Sequence, residues 1–265
     1  MKNLGQHFLV DEDTSKKIVD SLELTLDDTI VEIGGGKGAL TKKIVQNVKK
    51  LYVVEIDKNL CNFLQQKFKE FGNIEIINDD FLNVNLSDFF KGEKLKVVGN
   101  IPYSITSKIL KKLYEDINFW KMCVLMLQYE VGQKLLATPT SKKFSQLTLL
   151  TNFYTKAELL FKVDKNYFVP QPQVDSCVVK FLPNEQFVEY LYKDELFRLI
   201  SCVFKHKRKT LINSLNSELK IQKDIIKNIV SNLGIKPTAR PQDISLQNYI
   251  KLVEKLSKYT KLSTT

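Results

Sequence analysis

Histidine is nearly missing from this chain of 265 residues, and arginine is almost as scarce. His7 and His206 are its only imidazoles, and Arg198, Arg208 and Arg240 its only guanidinium groups. Cysteine stands at 61, 123, 177 and 202, with no C-x-x-C pair. A Cys/His zinc site therefore lacks suitably spaced ligands, no metal is expected, and buried reduced thiols are. No run of about 18 apolar residues could span a bilayer, and the opening MKNLGQHFLVDED lacks the apolar stretch of a signal peptide. The expectation is a cytoplasmic protein with no membrane partner. With 43% apolar and 26% charged side chains, the composition excludes a disordered or collagen-like chain.

What is abundant is lysine. Forty Lys/Arg against thirty Asp/Glu give a net charge of +10, and residues 183–265 hold fifteen basic against eight acidic groups, +7 of that excess. Such an imbalance suits a polyanionic partner, and a merely lysine-rich surface would show it too.

The Val/Ile-rich runs at 29–34, 50–57, 74–79, 95–100 and 121–128 have the character of buried parallel strands. Between most of them lie helical apolar faces: Leu40, Ile44, Val45 and Val48; Leu60, Phe63, Leu64 and Phe68; Ile105, Ile109, Leu110 and Leu113. Alternating strand and helix means an α/β fold with a parallel sheet covered on both faces. A helix through Leu147, Leu150 and Phe153 follows, then KAELLFKV and SCVVKFLP, joined by a Pro-containing loop and expected as an antiparallel hairpin at the sheet's edge. After Pro183 the strand pattern gives way to a helical one, through Leu196, Leu199, Ile200 and Val203 to Leu211, Leu215, Ile225, Ile229 and Leu233. Two domains are expected: a catalytic one over 1–182 and a small basic all-helical one over 183–265.

Residues 30–38 read IVEIGGGKG, a strand entering glycines and then a helix, where an open parallel sheet binds nucleotide-like ligands. Lys37 is followed by Gly38, which breaks the P-loop pattern, and the G-x-G-x-G spacing departs from the dinucleotide fingerprint. Glu55 ends the next strand, 21 residues after Gly34, where a carboxylate can accept both hydroxyls of a ribose. Asp80 follows the third strand, placed to meet an adenine amine or, more plainly, to cap a turn. Adenosine without a diphosphate fits this set, which favours S-adenosylmethionine.

Strand four runs into Gly99-Asn100-Ile101-Pro102-Tyr103, the most specific segment in the chain, which resembles the [NDS]-[PIL]-P-[YF] motif of methyltransferases acting on a planar exocyclic amine, in the form found in enzymes that act on adenine in nucleic acid. The lone pair of an exocyclic adenine amine is delocalised into the ring, which makes it a poor nucleophile. The Asn100 side-chain oxygen and the Ile101 carbonyl can accept both amino hydrogens and favour a pyramidal nitrogen. Pro102 fixes the turn that aims them, and Tyr103 offers a face on which the base stacks.

With GQHFL at 5–9, VEIGGGKGALT at 31–41, VVEID at 53–57, NDDFL at 78–82, GNIPYSIT at 99–106, QYEVGQKL at 128–135 and FVPQPQVDSCVV at 168–179, the first domain resembles the ribosomal RNA adenine dimethyltransferases. FKHKRKTL at 204–211 and LGIKPTARPQDISL at 233–246 resemble the small-subunit, kasugamycin-sensitivity branch. The resemblance implies a Rossmann-like methyltransferase fold with a mostly parallel seven-stranded sheet. It implies S-adenosylmethionine as cofactor and two adjacent adenosines near the 3′ end of 16S rRNA as substrate, in the 30S subunit or its assembly intermediate. A monomer is expected. His7, Leu9, Gly34, Gly36, Glu55, Asp80 and Asn100 would bind the cofactor, His7 standing where the motif often has Asn. Asn100, Ile101, Pro102 and Tyr103 would face the target amine, with Phe168 as a second stacking ring. Lys205, Lys207, Arg208 and Lys209, crowding one turn of a helix, would meet RNA phosphates. The alternatives are a 23S enzyme of the erythromycin-resistance type and a non-catalytic assembly factor on the same fold.

Overall fold

In the computed structural model, which describes residues 6–187 and 189–259, every Val/Ile-rich run named above is a strand. Gly5, which opens the GQHFL motif, lies outside the described residues. The strands are β1 (Phe8–Leu9), β2 (Thr29–Ile33), β3 (Lys50–Glu55), β4 (Ile74–Asn78), β5 (Leu95–Asn100), β6 (Trp120–Gln128), β7 (Thr155–Val163), β8 (Phe168–Val169) and β9 (Ser176–Pro183). Seven of them form one sheet in the order β4-β3-β2-β5-β6-β9-β7. All its neighbours run parallel except where β9 pairs antiparallel with β6 and β7. This is the mostly parallel, Rossmann-like sheet expected. The hairpin is there too, with β9 inserted beside β6 so that β7 takes the edge.

Parallel strands buried on both faces need unbroken apolar runs. β2, β3, β5 and β6 supply them, with Ile30, Val31, Leu51, Val53, Val97, Val98, Val124 and Leu125 all fully buried. The first five α-helices in chain order are α1 (Glu12–Asp20), α2 (Thr41–Ile44), α3 (Lys58–Lys67), α4 (Thr106–Glu115) and α5 (Tyr129–Leu135). Asp57 starts α3 by accepting from the Asn59 and Leu60 amides. Of the face expected for α3, Leu64 and Phe68 are buried, joined by Cys61, while Leu60 is partly covered and Phe63 points outward beneath the Lys67 ammonium.

A separate two-stranded ribbon pairs β1 with β8, Phe8 opposite Val169 and Leu9 opposite Phe168. It ties the chain's first described residues to the FVPQPQV loop.

The chain divides into two compact units, residues 1–132 with 155–183 and residues 133–154 with 184–265. Where the sequence reading has 133–154 in the first domain, these residues group with the helical unit instead of the sheet. The reason is α6 (Gln146–Tyr154), whose Leu149 and Phe153 pack into the core made by α7 (Lys193–Phe204), α8 (Leu211–Leu219), α9 (Lys223–Asn232) and α10 (Leu246–Leu256). Phe153 stacks on Phe187 with ring centroids 5.1 Å apart. A contribution from before the hairpin has no signature in a linear reading. In α9 the buried residues are Ile226 and Val230, with Ile225, Ile229 and Leu233 only partly covered.

The basic cluster is not on a helix. α7 ends at Phe204, and the Lys205, His206 and Lys209 amides close tight turns onto Cys202, Val203 and His206. Thr210 then caps α8. His206 Nε2 lies 2.9 Å from Glu218 Oε1 across this loop, while Lys205, Lys207, Arg208 and Lys209 are all exposed.

Candidate active site

Register places the site. Ile33 of β2 stands opposite Val54 of β3 and Gly99 of β5, and Glu55 of β3 opposite Asn78 of β4. Gly34, Glu55, Asp79, Asp80 and Asn100 therefore emerge together at the carboxyl edge of the sheet, where adjacent strands lie about 4.8 Å apart. They line one open cleft of about 250 Å³, with the segment Gln6–Leu9 along it.

The glycine turn requires glycine. Gly34 and Gly36 have φ of +73° and +53°, and a Cβ on Gly36 would stand 3.2 Å from the Phe8 ring. The Lys37 ammonium lies 5.0 Å above that same ring, so Phe8 is in contact with the turn through both Gly36 and Lys37.

Glu55 is 2% exposed. Its Oε2 accepts from the Gly36 amide and its Oε1 from the Asp57 amide, both at 3.0 Å. Each oxygen keeps a lone pair, so two further donors can be received on a carboxylate already fixed in place. Asn78, which the sequence reading passed over, donates to the Glu55 and Ile56 carbonyls and holds this corner. Asp80 Oδ1 accepts from the Leu82 amide and caps a short 3₁₀ turn, the plainer of the roles expected for it, and its carboxylate still borders the cleft.

Asn100 donates from Nδ2 to the His7 carbonyl at 2.9 Å. A carbonyl can only accept, so this bond fixes the amide's orientation and leaves Oδ1 as the atom available to a donor. Ile101 is 1% exposed, and its amide donates to the Met126 carbonyl. Pro102 and Tyr103 continue the wall of the cleft. Leu9 lines it as well.

Phe168 does not. Pairing with Leu9 turns its side chain into the core, where it is 2% exposed, and strand alternation sends Val169 outward at 55%. It presents no ring face for stacking, which corrects the expectation drawn from its motif.

Ile56 and Glu32 are among the cleft residues that the sequence reading gave no role. Ile56 sets an apolar surface beside Glu55 and is half exposed. Glu32 is a fully buried carboxyl that accepts from the Thr41 hydroxyl at 2.7 Å. Burial pushes its pKa up to about 8, the Thr41 bond opposes this, and the Glu55 charge adds to it. A carboxyl raised above its unfolded value binds more protons native than unfolded, so its contribution to stability falls as pH rises from about 4.5 to about 8. Glu32→Gln is thus expected to melt above the wild type at pH 8 and level with it near pH 4. Equal melting temperatures at both pH values would show that Glu32 titrates in the native protein where it does in the unfolded one.

The cleft suits S-adenosylmethionine. A buried, amide-fixed carboxylate matches a ribose diol, Ile56 and Asp80 match an adenine face and edge, and the close-packed glycine turn leaves open backbone beside them.

Similarity to known proteins agrees. Residues 1–258 match the family model for ribosomal RNA adenine dimethylase. Ribosomal RNA small subunit methyltransferase A of Malacoplasma penetrans is 39% identical over 251 residues, covering 95% of this chain and 90% of the relative. The protein of that name from Clostridium botulinum strain Okra is 35% identical over 253 residues, covering 95% and 92%. A dimethyladenosine transferase from Plasmodium falciparum superposes with a TM-score of 0.81 at 25% identity, over 95% of this chain and 98% of that one. The 23S rRNA methyltransferase ErmE gives 0.75 at 26%, over 94% and 99%. Carrying the strand-edge acids, the glycine turn and the Asn-Ile-Pro-Tyr turn in one cleft, the chain belongs to the ribosomal RNA adenine dimethylase family and is an S-adenosylmethionine-dependent rRNA adenine dimethyltransferase.

Proposed function

We propose that the protein dimethylates two adjacent adenosines near the 3′ end of 16S rRNA, in the 30S subunit or its assembly intermediate, and does so as a cytoplasmic monomer. The observation that carries the reading is the Asn100 amide, oriented by the His7 carbonyl so that its oxygen is left to accept from an amine beside Tyr103. Identity of 35–39% over 95% of the chain to proteins named for the small subunit supports the 16S substrate.

Bound S-adenosylmethionine supplies an electrophilic methyl on a sulfonium centre. Glu55 would hold the ribose and Asp80 the adenine of the cofactor, while His7, Leu9, Gly34 and Gly36 would close around its methionine end. Tyr103 stacks on the target base, and Asn100 Oδ1 and the Ile101 carbonyl accept its amino hydrogens, turning the nitrogen lone pair toward the methyl. The product amine then releases its proton to water. The exposed Lys205, Lys207, Arg208 and Lys209 meet the RNA backbone as phosphate contacts, which position the chain without reading sequence.

Labelled methyl transfer to unmodified small-subunit particles, measured beside transfer to naked 23S rRNA, tests the substrate. Incorporation into the particles alone is expected. Incorporation into 23S rRNA alone would assign the protein to the other branch, and none into either would support an assembly factor.

A further inference from the structure

Tyr103 projects from a single 3₁₀ turn, Tyr103–Ile105, that has no side-chain cap. A ring so mounted would swing about χ1 by several ångströms unless something held it. Its hydroxyl lies 2.6 Å from Ser176 Oγ. Ser176 is fully buried and opens β9, in register with Gln128 of β6 and Val163 of β7, so the anchor belongs to the sheet and not to a loop. The ring is steadied from a second side. The His7 imidazole stacks on it with centroids 5.8 Å apart and planes 27° from parallel, and His7 Nδ1 is itself 2.7 Å from the Pro170 carbonyl. Two segments distant in sequence, around His7 and Ser176, thus converge on one aromatic ring.

We propose that Ser176 is a positioning residue for methyl transfer, its hydroxyl fixing the Tyr103 ring, with His7 behind it, so that the target adenine meets one preset face. The inference rests on reading the cleft as the adenine-methylating site. Ser176 touches neither base nor cofactor and acts through Tyr103. Functional side chains are held to productive geometry by neighbours that lock their rotamers, and a displacement of about 1 Å at the reacting centre costs up to about a hundredfold in rate. A single neutral hydrogen bond contributes less than that, which sets the expected size here.

The test is a double-mutant cycle on kcat, with S-adenosylmethionine affinity and melting temperature measured alongside. Ser176→Ala and Tyr103→Phe each remove one end of the same bond and leave the ring in place. Each is expected to lower kcat by about three- to tenfold with cofactor affinity within about twofold, and the double variant to lose no more than either single one. Multiplying losses, or an unchanged kcat in Ser176→Ala, would overturn the proposal. If Ser176→Ala fails to fold, Tyr103→Phe carries the test alone, since an unchanged kcat there shows that the bond holds nothing that matters. Failure of the wild-type protein to methylate adenine would instead strike the functional reading beneath it.

Discussion

Asn100→Ala is expected to lower kcat by about 10²- to 10³-fold while RNA binding stays within about twofold of wild type. On the proposed reading alanine removes two things: the Oδ1 that would accept from the target amine, and the Nδ2 that donates to the His7 carbonyl. Losing one preorganised group that acts on developing charge costs about 3–4 kcal/mol of barrier, which is the quoted factor. The loss falls in kcat because the amine's hydrogens are most acidic as the nitrogen becomes cationic, so the bond is strongest in the transition state. Turnover above about a tenth of wild type would mean that Asn100 only ties down the N-terminal segment.

Glu55→Ala is expected to weaken S-adenosylmethionine binding by about 10- to 100-fold in calorimetry. Charge-assisted hydrogen bonds contribute about 1.5–3 kcal/mol, and both ribose hydroxyls would lose their acceptor. A second consequence follows from the structure. The Gly36 and Asp57 amides both donate to this carboxylate, so alanine also strands two N–H groups in a nearly buried corner. The variant should therefore lose stability as well as affinity. An unchanged affinity in a destabilised protein would make Glu55 a purely structural brace of the glycine turn.

The sheet was legible because its information is local. Buried parallel strands demand unbroken Val/Ile runs, and β2, β3, β5 and β6 have them. Glu55, Asp80 and Asn100 were legible for the same reason, each following such a run by at most two residues. What escaped depends on tertiary placement. Phe168 sits in a motif whose neighbours approach the cleft, yet two ladder pairs with β1 decide which way its ring points. α6 joins the helical unit because Leu149 and Phe153 meet α7 and α10, and these follow it by some forty residues or more. The turn at 205–209 interrupts what reads as continuous helix, since Thr210 starts a new helix by capping with its side chain. Ser176 gives no sign of itself until Tyr103 is seen against it.

The central claim is that this cleft delivers two methyl groups to the exocyclic nitrogen of one adenine base. Its most direct test is to incubate the protein with unmodified small-subunit particles and S-adenosylmethionine carrying a deuterated methyl, digest the RNA to nucleosides, and analyse the products by mass spectrometry. The account predicts adenosine bearing two deuterated methyl groups on its amino nitrogen, absent when Asn100→Ala replaces the wild type. Label found on a ring nitrogen, on a ribose or on another base would contradict it.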